Sequence, residues 1–161
     1  MNKDKLDHQP VPDGYRSVKD ALPIALVRAR EALLAFYRPM IAERGFTEPQ
    51  WRLLRIVNEY EPIDITTLSH YCGLHTPSVT RILKTLDRDG YIDRQRDVED
   101  TRRSWISVTQ KTCEIMYQSG AKSVAIREKV FEQFSEEKMN QLADLANELA
   151  EIRPRQSTTG E

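Results

Sequence analysis

The chain has 161 residues, with 24 Lys and Arg against 25 Asp and Glu and a formal net charge of -1. That length suits one domain, or one compact domain with extensions, and buries a genuine core without a metal or disulfide staple. With a sequence pI of about 6.3, no whole-molecule positive field draws the chain onto nucleic acid, so any DNA affinity has to come from local placement of cations.

Two cysteines, Cys72 and Cys113, are too few for a disulfide scaffold and fit a reduced compartment, with the cytoplasm as the expected location. The amino terminus carries no apolar run of the kind that makes a signal peptide. Nowhere do about 18 apolar residues run together, which argues against a membrane span.

Residues 1–16 are polar, with Pro10, Pro12 and Gly14, and are expected to form a loose arm. Residues 17–46 read as a helix, with Leu22, Leu26, Ala29, Leu33, Phe36, Tyr37, Met40 and Ile41 recurring at three and four. Pro23 suits its first turn, and Pro39 is expected to bend or end it. Thr47 then caps a second helix, with Glu48 at the positive end, Pro49 in the first turn and Trp51, Leu54 and Val57 as its stripe.

"EPIDI" is too short for more than one small strand, and "TTLSHYCG" makes a helix of about two turns closed by Gly73. Thr76 reads as the N-cap of the next helix and Pro77 as its first helical position. Val79, Ile82, Leu83 and Leu86 fall at i, i+3, i+4 and i+7 and form a buried stripe. Gly90 ends this helix, and "YIDRQ" and "SWISVT" read as two strands joined by the charged loop "RDVEDTRR".

Residues 109–152 return to helix. Thr109 caps a segment running to about Phe134, with Gly120 a weak point, and Ser135 with Glu136 and Glu137 starts another that carries Leu142, Leu145, Leu149 and Ile152. Residues 153–161 are expected to be a disordered tail. The fold class is therefore mainly α with a small β-hairpin wing. It comprises a winged helix-turn-helix lobe over residues 47–108 and terminal helices on either side.

In such a lobe the second helix enters the major groove. With Val79, Ile82 and Leu83 seated, Thr76, Pro77, Ser78, Thr80, Arg81 and Lys84 are left to face DNA. Hydroxyls and the helix amino terminus suit phosphates, while Arg81 offers a bidentate pair to guanine. Residues 66–104 carry seven basic against six acidic side chains, so the charge is arranged rather than abundant. Arg102 and Arg103 sit near the wing tip, where an arginine reaches the minor groove.

The stretch "TPSVTRILKTLDRDGYIDRQRDVEDTRRSWISVT" strongly resembles the MarR family of bacterial transcription regulators, whose wing contains Asp-x-Arg, matched here by Asp100, Thr101 and Arg102. The likeness covers roughly residues 20–152. "LPIALVRAREALLAFYRPMIAERGFTEPQWRLLR" is further similar to the HpaR subgroup, repressors of homoprotocatechuate (hydroxyphenylacetate) catabolic operons.

The resemblance implies a homodimer in which the first and last helices of two chains interlock, here residues 17–46 and 109–152. The apolar stripes of those segments ask for a partner independently, because one small lobe cannot cover them. A two-fold dimer implies a double-stranded, pseudo-palindromic operator with half-sites roughly 34 Å apart. By resemblance Arg102 is the minor-groove finger, and Asp100 is the carboxylate that orients wing arginines, including Arg94. Arg81 and Thr80 are the leading base-edge readers.

The family also implies a small aromatic carboxylate as effector, which needs an apolar slot and a cation. Arg28 and Arg30 interrupt an otherwise apolar helix, and Tyr37, Trp51 and His70 are candidate slot walls. The same arginines are equally read as solvated or salt-bridged helix residues, with Glu31 and Glu43 nearby.

Other chemistry has little support. No cysteine precedes Cys72, which argues against redox sensing near the first helix; Cys72 and Cys113 read as packed thiols. Cys72 and His75 alone make no closed zinc site. No phosphate-cradling loop, H-E-x-x-H or nucleophile elbow points to an enzyme, and no cofactor is expected. The alternative is a winged-helix module for protein assembly, which keeps the fold without needing an exposed Arg81 and Lys84.

Overall fold

The structure is a computed structural model and describes residues 21–98, 100 and 103–152. The expected arm and tail, and the wing residue Arg102, lie outside those residues. The described elements run α1 (Leu22–Glu43), α2 (Glu48–Tyr60), β1 (Ile63–Asp64), α3 (Ile65–Cys72), α4 (Thr76–Arg88), β2 (Ile92–Arg96), β3 (Ser104–Val108), α5 (Gln110–Gln133) and α6 (Glu136–Ala150). The chain divides into two units, Met1–Ala35 and Phe36–Glu161, with the division falling inside α1.

In the first unit, the described part of α1 is largely exposed, including Leu22, Ile24, Val27 and Leu33. Of the two expected outcomes at Pro39, a bend or an end, the end is excluded, and α1 continues to Glu43. Proline inside a helix forfeits a backbone bond and crowds the preceding turn, at about 3 kcal/mol. Met40 and Ile41, immediately after it, are buried in the core of the second unit and hold the last turn in place.

The core of the second unit gathers Leu53, Leu54 and Val57 of α2, Leu68 of α3, Val79, Leu83 and Leu86 of α4, and Ile92 and Ile106 of the sheet. Thr47 caps α2 as expected, in a reciprocal box: the Gln50 N–H donates to its hydroxyl at 3.4 Å, and the Thr47 N–H donates to Gln50 Oε1 at 2.8 Å. Asp64 caps α3, its Oδ1 accepting from the N–H groups of Thr66 and Thr67 at 2.9 and 3.1 Å.

The two helices of the helix-turn-helix end alike. After α3 the Leu74 N–H reaches back to the Ser69 carbonyl, and after α4 the Tyr91 N–H reaches the Leu86 carbonyl. Both closures pass through a glycine in the left-handed region, Gly73 at φ 61° and Gly90 at φ 72°, where a side chain would strain the backbone.

Thr76 is not the N-cap of α4. His75 takes that place, and its carbonyl accepts from the Ser78 and Val79 N–H groups at 2.9 and 3.1 Å. Those are the donors a Thr76 cap would have used, so its hydroxyl is released to the surface. The hairpin is joined by β1 into an antiparallel sheet in the order β1-β3-β2, with Ile63 opposite Ile106 and Arg94 opposite Ile106 on the other side.

α5 runs unbroken through Gly120. Thr109 stands at the N-cap as expected, its carbonyl accepting from the Thr112 and Cys113 N–H groups, but its hydroxyl turns away and donates to the Gly90 carbonyl at 2.9 Å. Ser135 caps α6, accepting from the Lys138 N–H at 3.4 Å. No residue of α6 is buried, and Leu142, Leu145 and the following Ile152 are exposed. No described helix is long and apolar enough to cross a membrane.

Candidate nucleic-acid interface

α4 is seated by one face and bare on the other. Val79, Leu83 and Leu86 are buried, each stabilising the lobe by roughly 1.5–3 kcal/mol. The helical period then turns Pro77, Arg81, Lys84 and Arg88 outward as one stripe, and all four are exposed. Thr76 is also exposed, and Ser78 and Thr80 are half-buried at its margin.

The cations of this stripe differ in availability. Arg88 is tied to Asp89, Nε to Oδ1 at 2.7 Å; that hydrogen bond and charge hold the Asp89 carboxyl below its ordinary range and raise the guanidinium. Arg81 and Lys84 make no hydrogen bond or ion pair among the described residues. The helix therefore presents two unengaged cations, with hydroxyls toward its amino-terminal end.

The wing is organised by a carboxylate that sequence reasoning did not single out. Asp97 Oδ2 accepts the Trp105 indole N–H at 2.7 Å, and its Oδ1 accepts the Asp100 N–H at 3.0 Å. The Arg103 guanidinium lies 5.8 Å from the Trp105 ring centre. Arg94 stands half-buried on β2 with no ion pair among the described residues, so the expected Asp100 to Arg94 link is not formed here. Alternation along β3 marked Trp105 only as a strand residue; the signal for Asp97 is its position at the end of β2, across the hairpin from an indole donor.

Arg103 also borders a cavity of about 230 Å³ with Asp64, Thr66, Thr67 and Ser104. Burial pushes the Asp64 carboxyl up, but hydrogen bonds from the Thr67 hydroxyl and the Thr67 and Thr66 N–H groups, with the Arg103 charge, outweigh it and hold the group low.

A larger cavity, about 430 Å³, opens between α2 and α5. Trp51 and Met116 give it apolar wall, while Arg55, Asn58 and Ser123 give it polar groups, with Glu59 beside them. Arg55 makes no hydrogen bond or ion pair among the described residues. Sequence reasoning named Trp51 but missed Arg55, which lies one helical turn further along α2.

Tyr37 and His70 do not line this cavity. Tyr37 packs against the core, and His70 is exposed on α3 beside Tyr71, with Nε2 3.7 Å from a Glu151 carboxylate oxygen. In the first unit, Arg28 is exposed and Arg30 lies 2.9 Å from Glu31, the salt-bridged alternative. Cys72 is buried, which raises its thiol, and Cys113 is half-buried against the core.

A short helix, a tight turn, an exposed second helix and a strand-built wing, in that order, define a winged helix-turn-helix protein. More narrowly, the chain belongs to the MarR family, which matches over residues 46–104. It is 34% identical over 129 residues to the homoprotocatechuate degradative operon repressor of Escherichia coli, covering 80% of this chain and 87% of that one. It is 31% identical over 132 residues to the transcriptional regulator FarR of Neisseria gonorrhoeae, covering 82% and 90%. The crystal structure of NadR in complex with 4-hydroxyphenylacetate matches with a TM-score of 0.76 at 30% identity, over 90% of this chain and 100% of that one.

Proposed function

We propose that this chain is a homodimeric transcriptional repressor that binds a pseudo-palindromic operator and is released by a small aromatic acid such as a hydroxyphenylacetate. The observation that carries the DNA reading is the pair Arg81 and Lys84, exposed on a helix held rigidly by its other face and unengaged among the described residues. Arg81 and Thr80 read base edges. Thr76, Ser78 and Lys84 meet phosphates close to Pro77, and Arg94, Arg102 and Arg103 serve the wing, with Asp100 in its motif.

The test is binding to an operator selected from a randomised duplex pool. Phosphate neutralisation by Lys and Arg makes log affinity fall steeply with log salt. A protein-assembly module would bind no duplex at any salt concentration, and that outcome would overturn the reading.

The effector reading draws on the α2–α5 cavity and on the relatives, one a repressor named for homoprotocatechuate degradation and one crystallised with 4-hydroxyphenylacetate. Trp51 supplies the aromatic wall and Arg55 a cation for a carboxylate; Arg28, Arg30, Tyr37 and His70 remain candidates for the rest of the shell. By calorimetry, Arg55→Ala is expected to weaken 4-hydroxyphenylacetate binding at least about tenfold, since charge-assisted hydrogen bonds are the strong ones. Release requires the ligand to favour a conformation with poorer operator affinity, because equal binding to both shifts nothing.

A further inference from the structure

We infer that Asp97 is a positioning residue for the wing cation Arg103, acting through the Trp105 indole; this rests on the DNA-binding reading above. The carboxylate spans the base of the wing, with one oxygen on the Trp105 N–H and the other on the Asp100 N–H. The backbone closes the same loop: the Asp97 N–H donates to the Arg103 carbonyl at 3.1 Å, and the Arg103 N–H donates to the Asp100 carbonyl at 2.8 Å.

Trp105 is thereby held from two sides. Its backbone sits in register between Gln95 of β2 and Asp64 of β1, and its ring is turned by the indole hydrogen bond to Asp97. The side chain is half-buried, so the ring presents a fixed surface, and the guanidinium of Arg103 lies near it at 5.8 Å.

An exposed arginine on a hairpin loop explores many rotamers, and each phosphate contact requires one of them to be selected. The ring beside it and the Asp64 carboxylate in the cavity it borders narrow that choice before DNA arrives. Asp97 need not touch nucleic acid to matter; its hydrogen bond orients the ring, and the ring orients the cation. In a chain without surplus positive charge, ordering a cation in advance compensates for not having more of them.

The experiment uses the full-length protein and the selected operator, with Arg103→Ala, Asp97→Ala and the double variant titrated across salt concentrations. Loss of one phosphate contact in each half-site lowers the salt slope of the dimer by about 2. Arg103→Ala is expected to cost roughly tenfold in affinity with that slope change. Asp97→Ala should show the same slope change and a comparable loss, and the double variant should fall no further than either alone.

Trp105→Leu keeps an apolar strand residue while removing both ring and donor, and should reproduce the slope change if Asp97→Ala folds poorly. The chain has 2 tryptophans, so Asp97→Ala should move one indole N–H resonance in the DNA-free protein. An Asp97 that only shapes the loop would give additive losses with an unchanged slope, overturning the inference. If Arg103→Ala is itself silent while Arg81→Ala and Lys84→Ala weaken binding, the wing role of Arg103 fails and takes the inference with it, but the recognition helix stands.

Discussion

Asp64 concentrates several roles in one side chain. It ends β1, caps α3 through two backbone N–H groups and the Thr67 hydroxyl, and lies beside Arg103. Asp64→Ala is expected to lower stability by about 1 kcal/mol, in the range of lost N-caps, by urea unfolding near neutral pH. The carboxyl is held low in the folded chain, so its stabilisation is complete above the unfolded value of about 3.9 and disappears as pH falls through the lower folded value. The difference between the two proteins should therefore shrink in strong acid; a constant difference down to that range would mean the ionised cap contributes nothing.

At the scale of elements, α4 supports the sharpest expectations. Arg81→Ala should cost roughly 1–3 kcal/mol on the selected operator and relax preference at one base pair per half-site, as removal of a base contact does. Lys84→Ala should instead weaken binding evenly across sequences and lower the salt slope by about 2, one contact in each half-site. Competition titrations against single-base operator variants separate the two.

α4 was legible in the sequence because its apolar spacing and its closing Gly90 report purely local requirements. Its start was not, since a threonine before proline suits either the cap or the first helical position, and only the His75 carbonyl decides between them. Pro39 left two outcomes open for a related reason: its local penalty allows a bend or an end, and burial of Met40 and Ile41 favours continuing the helix. Arg55 stayed hidden because it matters through α5, distant in sequence, and Asp97 because its partner is reached only when the hairpin brings Trp105 across the wing.

At the scale of the whole molecule, apolar side chains remain uncovered in both units. Val27 is 62% exposed in the first, and Leu145 and Ile152 are 64% and 67% exposed in the second. In the proposed homodimer such side chains meet a second copy. Leu145→Glu would place an unpaired charge in that contact, and is expected to raise the dimer dissociation constant at least about tenfold by sedimentation, with operator affinity falling in parallel. A variant that stays dimeric at nanomolar concentration would remove Leu145 from the interface.

The turn that follows α4 is gripped by the first turn of α5. Thr109 and Thr112 donate their hydroxyl hydrogens to the carbonyls of Gly90 and Tyr91 at 2.9 and 2.6 Å, and Lys111 reaches the Asp89 carbonyl while lying 3.8 Å from the Tyr91 ring centre. The carboxyl end of α4 is thus tied to α5, while Val79, Leu83 and Leu86 keep its length seated in the core, so α4 moves with the lobe. Its 13 residues span about 20 Å. A rotation of the lobe as one body by about 5° about that carboxyl end would carry the far end of α4 through roughly 1.7 Å, more than the tolerance of a hydrogen bond. In the proposed effector mechanism, a molecule wedged between α2 and α5 would gain a mechanical advantage: a slight spreading at the cavity would be magnified at the end of α4 proposed to read bases.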